Sequence, residues 1–169
     1  MLAVEAAMRS YARRFGEDEE LWGMVGLLHD LDYERYPSQE AGHPFKGVEQ
    51  LRSLGYPEAV CRAILSHADY SGVARGSRME YALHACDEIT GFVVAVALVR
   101  PTKSLHDVDV AAVRKKMKDK AFARLVNREE MLRAADALGV PFDEHVGIVI
   151  EAMRGVADEL GLGGPPRPS

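Results

Sequence analysis

The chain has 169 residues, 47% of them hydrophobic and 28% charged, and a formal net charge of −5, which is enough for one domain with a real core and cramped for two. The acidic balance argues against a general binder of nucleic acid or of anionic membrane, so any affinity for phosphate must be local. The two cysteines, Cys61 and Cys86, have no second Cys at ligand spacing and read as reduced, buried thiols of a cytoplasmic protein, and the first residues lack the basic start and apolar run of a signal peptide.

Helical periodicity runs through almost the whole chain. Val4, Met8, Tyr11 and Phe15 recur at spacings of three and four, with Gly16 as a stop signal. A second helix spans Asp18 to about Leu31 and is apolar around most of its circumference, which implies a central position. The third covers Pro44 to Leu54 and ends at Gly55; Pro57 then opens a fourth in which Val60, Ile64 and His67 share one stripe. Ser77-Arg78-Met79-Glu80 is a capping box for a long fifth helix to about Val99. Its second half, Ile89–Val99, is apolar on all sides yet far too short to cross a bilayer.

Beyond Ser104 a short helix is expected across Val110, Val113 and Met117. Asn127 caps another, closed by Gly139 and Pro141, and a last amphipathic helix carries Val146, Val149, Ile150, Met153, Ala157 and Leu160 on one stripe. No strand alternation and no internal repeat appears. The expectation is an all-α, single-domain helical bundle of about seven helices over residues 1–160, followed by a disordered Gly- and Pro-rich tail at 161–169.

Chemistry gathers around Gly26-Leu27-Leu28-His29-Asp30-Leu31-Asp32-Tyr33-Glu34, where an apolar run ends in an imidazole beside a carboxylate. A buried carboxylate needs a compensating partner, and a divalent cation suits a His and an Asp together. A lone His-Asp pair is weak evidence, since a satisfied His and an exposed Asp look the same. Three further residues raise its weight: His43, His67 and Asp87, the last inside the long apolar fifth helix. For His67 the plain alternative is a core histidine bonded to a carbonyl. Asp32 and Glu34 either orient a ligand histidine or solvate a helix end. His84 shares a helical face with Asp87 and reads as a supporting or surface residue. The basic residues that follow the fifth helix form a solvated face or supply a phosphate clamp, for which Lys46, Lys103 and Lys116 are the candidates.

In this order, a His-Asp pair, two more histidines and an Asp in a long apolar helix, the chain resembles the HD-domain metal-dependent phosphohydrolase superfamily, most strongly its small stand-alone HDIG-type members. The resemblance covers residues 1–100 by motif. It implies an HD-domain-like helical fold and one or two divalent ions (Mn, Fe, Co, Ni, Zn or Mg). It also implies His29, Asp30 and Asp87 as catalytic metal ligands, with His43 and His67 as ligands of a second ion or contacts to phosphate. Such a site hydrolyses a phosphomonoester or phosphodiester of a small molecule, nucleotides included, through a metal-activated water. No Gly-x-x-x-x-Gly-Lys loop is present to cradle a triphosphate, and no Ser-His-Asp or Cys-His order suggests a covalent route. The expected partner is a small phosphorylated substrate, with no stable nucleic acid and no membrane; a homo-oligomer is left open.

One departure accompanies the resemblance. The family places a histidine on the first helix, here at or just ahead of Met1, and that helix has none; Glu5, more than a turn away, is a poor substitute. Either a longer chain supplies the ligand, or the protein lacks it and is a regulatory module that binds without turnover. An HD-type di-iron oxygenase, with a similar ligand set, is a third expectation.

Overall fold

Small residues let the first two helices touch. In the computed structural model, which describes residues 1–165, α1 (Leu2–Phe15) buries Ala3, Ala6, Ala7 and Ala12 along with Val4, Met8 and Tyr11, and closes on Gly16 at φ 70°. It packs against α2 (Glu19–Leu28), whose first turn is capped by Asp18 accepting from the Leu21 amide at 3.0 Å. At the crossing a Cβ on Gly26 would sit 2.9 Å from Glu5 N and Cα and from the Val4 carbonyl oxygen. The two backbones are therefore in contact, and no side-chain rotation can make room. Gly26→Ala is expected to destabilise the fold by about 1–2 kcal/mol, the overpacking exceeding the gain in helix propensity. Thermal melting should show a midpoint several degrees lower.

The chain divides into two compact units, Met1–His84 and the stretch from Ala85 onward. The described residues form eight α-helices, against about seven expected, and two short 3₁₀ turns, with no strand; the class is all-α. In the first unit, α2 also packs on α4 (Glu58–His67), and α3 (Phe45–Ser53) on α4. The α4 stripe is buried as its periodicity requires, Val60, Cys61, Ala63, Ile64 and His67 facing inward. A 3₁₀ turn at Asp69–Ser71 follows.

The start of α5 (Arg78–Leu98) is the expected capping box: the Ser77 hydroxyl accepts from the Glu80 amide at 3.3 Å and the Glu80 carboxylate from the Ser77 amide at 3.1 Å. Its residues through His84 belong to the first unit and the rest to the second. Among the described residues α5 is the one helix long and apolar enough to cross a membrane, yet 56% of that stretch is buried inside the structure, as in a core helix.

In the second unit α8 (Phe142–Arg154) packs against α6 (Val110–Met117), α7 (Arg128–Leu138) and the 3₁₀ turn Leu105–Asp107. Asp109 and Asn127 cap α6 and α7, and Gly139 at φ 77° ends α7. The last helix stops at Arg154, short of the Leu160 that its stripe suggested, and residues 155–161 continue as turns that still bury Ala157. The first part of the expected tail is tied down: Leu162 is buried, its carbonyl accepts from the Leu105 amide at 2.9 Å, and the Ser104 hydroxyl donates to the Gly163 carbonyl at 3.2 Å. Leu162, the apolar residue in that stretch, is what anchors it; residues 166–169 lie outside the described residues.

His145 of α8 is buried and donates Nε2–H to the Ala85 carbonyl at 2.9 Å. Desolvation holds its imidazole below the ordinary histidine value, against the smaller opposing effect of that carbonyl. With the folded pKa depressed, the unfolded chain takes up the proton first on acidification. The stability contribution is therefore complete above the unfolded value of about 6.5 and declines as pH falls from there toward the folded value. Urea midpoints measured from about pH 7 down to pH 5 should fall, and His145→Gln should make that fall shallower.

Candidate metal centre

All of the centre described here lies in the first unit. Its construction begins where α2 ends three residues earlier than its apolar pattern suggests. His29 follows Leu28 as the C-cap, and its Nδ1–H donates to the Gly26 carbonyl at 2.8 Å. A ring thus occupies a carbonyl at the helix end, and the backbone tightens into turns, Leu31 N to Leu28 O and Tyr33 N to Asp30 O, both 3.1 Å. The tightening leaves Asp30 just past the helix, its side chain 34% exposed, while Asp32 turns inward and is buried.

Asp32 joins the next two segments. Its Oδ2 accepts from the Gly47 amide at 2.6 Å in the first turns of α3, and its Oδ1 accepts from His43 Nδ1 at 2.7 Å. A Cβ on Gly47 would lie 3.0 Å from the Asp32 carboxyl carbon, so glycine lets the amide come this close. The loop before His43 folds on itself through Gly42 N to Ser38 O at 2.9 Å and His43 N to Tyr36 O at 2.7 Å. His67, the last residue of α4, donates its Nδ1–H to the Ile64 carbonyl at 2.5 Å, and the His84 ring donates to the His67 carbonyl at 3.0 Å.

Three imidazoles therefore have Nδ1 bound to an oxygen that only accepts, which leaves Nε2 as the lone-pair atom in each neutral ring. Those Nε2 atoms converge on Asp30: His29 at 3.3 Å from Oδ2, His43 at 3.3 Å and His67 at 3.8 Å from Oδ1. His43 Nε2 and His67 Nε2 are 3.2 Å apart. Two lone pairs cannot face each other at that distance without a cation between them, either a shared proton or a metal ion. Two nitrogens at about 2.1 Å from one ion and 3.2 Å from each other subtend about 100°, within the range of tetrahedral and octahedral geometry. Asp30, His43 and His67 offer ligand atoms that all lie within 4.8 Å of one another. The donor set of imidazole and carboxylate suits a first-row transition ion or zinc.

The structure thus brings together His29, Asp30, His43 and His67. Asp87 is half-buried on α5 in the second unit. Of the lysines, Lys46 is exposed and paired with Glu49 at 2.7 Å, which raises its pKa. Lys103 is exposed in the turn after α5 at φ 49°, and Lys116 lies over the Phe122 ring at 4.6 Å and 3.8 Å from Asp119. Both belong to the second unit. Asp32 is buried and accepts from the His43 ring, whereas Glu34 is exposed in the turns that follow α2. The supporting roles of Gly26 and Gly47 were not visible in the pattern, because a backbone group carries no residue-type signal at that range.

A family model for the HD domain matches residues 1–154. No curated protein and no solved structure matches the chain significantly. The match takes in every one of the clustered histidines and Asp30, and the chain belongs to the HD-domain family, a superfamily of metal-dependent phosphohydrolases.

Proposed function

We propose that the protein is a metal-dependent phosphohydrolase that cleaves a phosphomonoester or phosphodiester of a small molecule, nucleotides among the candidates, in the cytoplasm. The observation that carries this reading is the 3.2 Å approach of two Nε2 atoms, each from a ring whose Nδ1 is already engaged, beside a partly exposed carboxylate. A bound divalent ion supplies Lewis acidity there, acidifying a water and polarising a phosphoryl oxygen.

The residues divide the remaining work. His29 and Asp30 hold one ion, joined by Asp87 on the family resemblance, and His43 and His67 hold a second ion or the substrate phosphate. Asp32 keeps His43 in the tautomer that presents Nε2. Asp30 is open enough for water and substrate to reach it. Lys46, Lys103 and Lys116 are proposed contacts to substrate, and Lys46 would first give up Glu49. The buried, free Cys61 and Cys86 agree with a reducing compartment.

A second reading, a module that binds a ligand without turning it over, draws on α1, which contains no histidine. Both are tested by one panel: phosphorylated metabolites and cyclic and linear nucleotides, assayed with Mn, Fe, Co, Ni, Zn and Mg. Chelator-sensitive turnover is expected. Turnover that survives both chelator and His29→Ala would rule out the hydrolytic site. Metal and ligand bound without turnover would favour the module, and oxygen uptake by the iron form would favour an oxygenase.

A further inference from the structure

In the second unit, the end of α5 and one face of α6 enclose a pocket of about 200 Å³ lined by Val96, Val99, Arg100, Ala112, Lys115 and Lys116. Three cations therefore border an apolar wall in a chain whose net charge is −5. Cations near helix C-termini are favoured by the helix dipole in any case, so their presence alone decides nothing. Arg100 does. Its Nε is buried and has no hydrogen-bond partner among the described residues. Arg114, on the same α6, is instead paired with Asp143 at 2.5 Å. A guanidinium N–H shut away from water is one polar group left unmet, and Arg100 itself lines the pocket, so an anion held there would meet a guanidinium with hydrogen-bonding capacity to spare.

We propose that this pocket binds an oxyanion of the phosphate class carried on a short apolar group. The planar fork of Arg100 suits two oxygens of one anion, Lys115 and Lys116 balance the remaining charge, and Val96, Val99 and Ala112 cover the substituent. The volume admits a phosphate with a few carbons and is too small for a nucleotide. None of the lining residues is among the metal ligands, and on this reading Lys116 serves this pocket in place of the substrate contact proposed above, which makes the pocket a second site.

Calorimetric titration of the metal-loaded full chain with inorganic phosphate and with butylphosphonate tests the proposal. A saturable event should persist in Asp30→Ala and be tighter for butylphosphonate than for phosphate. Arg100→Gln should weaken it at least about tenfold and Lys115→Gln by about threefold or more, while Lys118→Gln, exposed and outside the pocket, should change it less than about twofold. Equal weakening by Lys118→Gln would reduce the effect to diffuse basic charge and overturn the site, as would unchanged affinity in Arg100→Gln. Acetate binding as tightly as phosphate would overturn the phosphate class. If Arg100→Gln fails to fold, butylphosphonate-induced shifts of the Val96 and Val99 methyl resonances decide, and the absence of shifts at both overturns the site.

Discussion

Asp30→Ala is expected to strip the protein of its metal and to lower turnover of the best phosphoester by about 10³-fold or more, about 4 kcal/mol of transition-state stabilisation. Asp30 contributes the anionic charge on which three imidazole nitrogens converge, at 3.3, 3.3 and 3.8 Å. Without it, the three nitrogens that converge there bring no negative charge of their own to a dication. The fold should survive, because a side chain 34% exposed is not part of the packed core. Elemental analysis beside circular dichroism separates the two effects: lost metal with an unchanged spectrum is the expected pair of results. Full metal occupancy in Asp30→Ala would remove this residue from the ligand set.

The second large effect is expected at a residue that need not touch the metal at all. Asp32→Asn keeps the size of the side chain, but its amide group cannot accept from both the Gly47 amide and the His43 ring in the present arrangement without turning one N–H donor toward another. His43 is then free to rotate or to place its proton on Nε2, where no cation can bind. Metal affinity should fall by about 10–100-fold, the usual penalty for losing the partner that orients a ligand histidine. Asp32→Ala should do the same and also lower stability, since it leaves the buried Gly47 amide without an acceptor. Competition with a fluorescent chelator measures the first effect and thermal melting the second. Wild-type affinity in Asp32→Asn would show that His43 is held by other means.

Much of this was readable in the chain because helix signals are local. The capping box at Ser77–Glu80, the Asn127 cap and the Gly139 stop act within a few residues of themselves, and each operates in the structure as its chemistry requires. The end of α2 was not readable, because the apolar run continues to Leu31 while a ring-to-carbonyl bond from His29 diverts the helix at Leu28. Nor was the place of Leu162 readable, where one apolar residue among glycines is buried and bonded to Leu105. The His29, Asp30, His43 and His67 cluster could be inferred from residue type and order, although 24 positions separate the last two histidines. The choice between the two roles of Asp32 could not, since it turns on a glycine amide fifteen residues away.

Gly26 stands at two junctions at once: its bare α-carbon presses on the backbone of α1, and its carbonyl holds the His29 ring. The first helix is thus mechanically joined to one of the clustered imidazoles, although its own 14 residues include no histidine. Whatever ion the site takes up binds the folded arrangement of that ring and so lends its binding free energy to the α1–α2 contact. Amide protons on the buried side of α1, at Met8, Tyr11 and Ala12, should therefore exchange with deuterium more slowly in the loaded protein than in the stripped one.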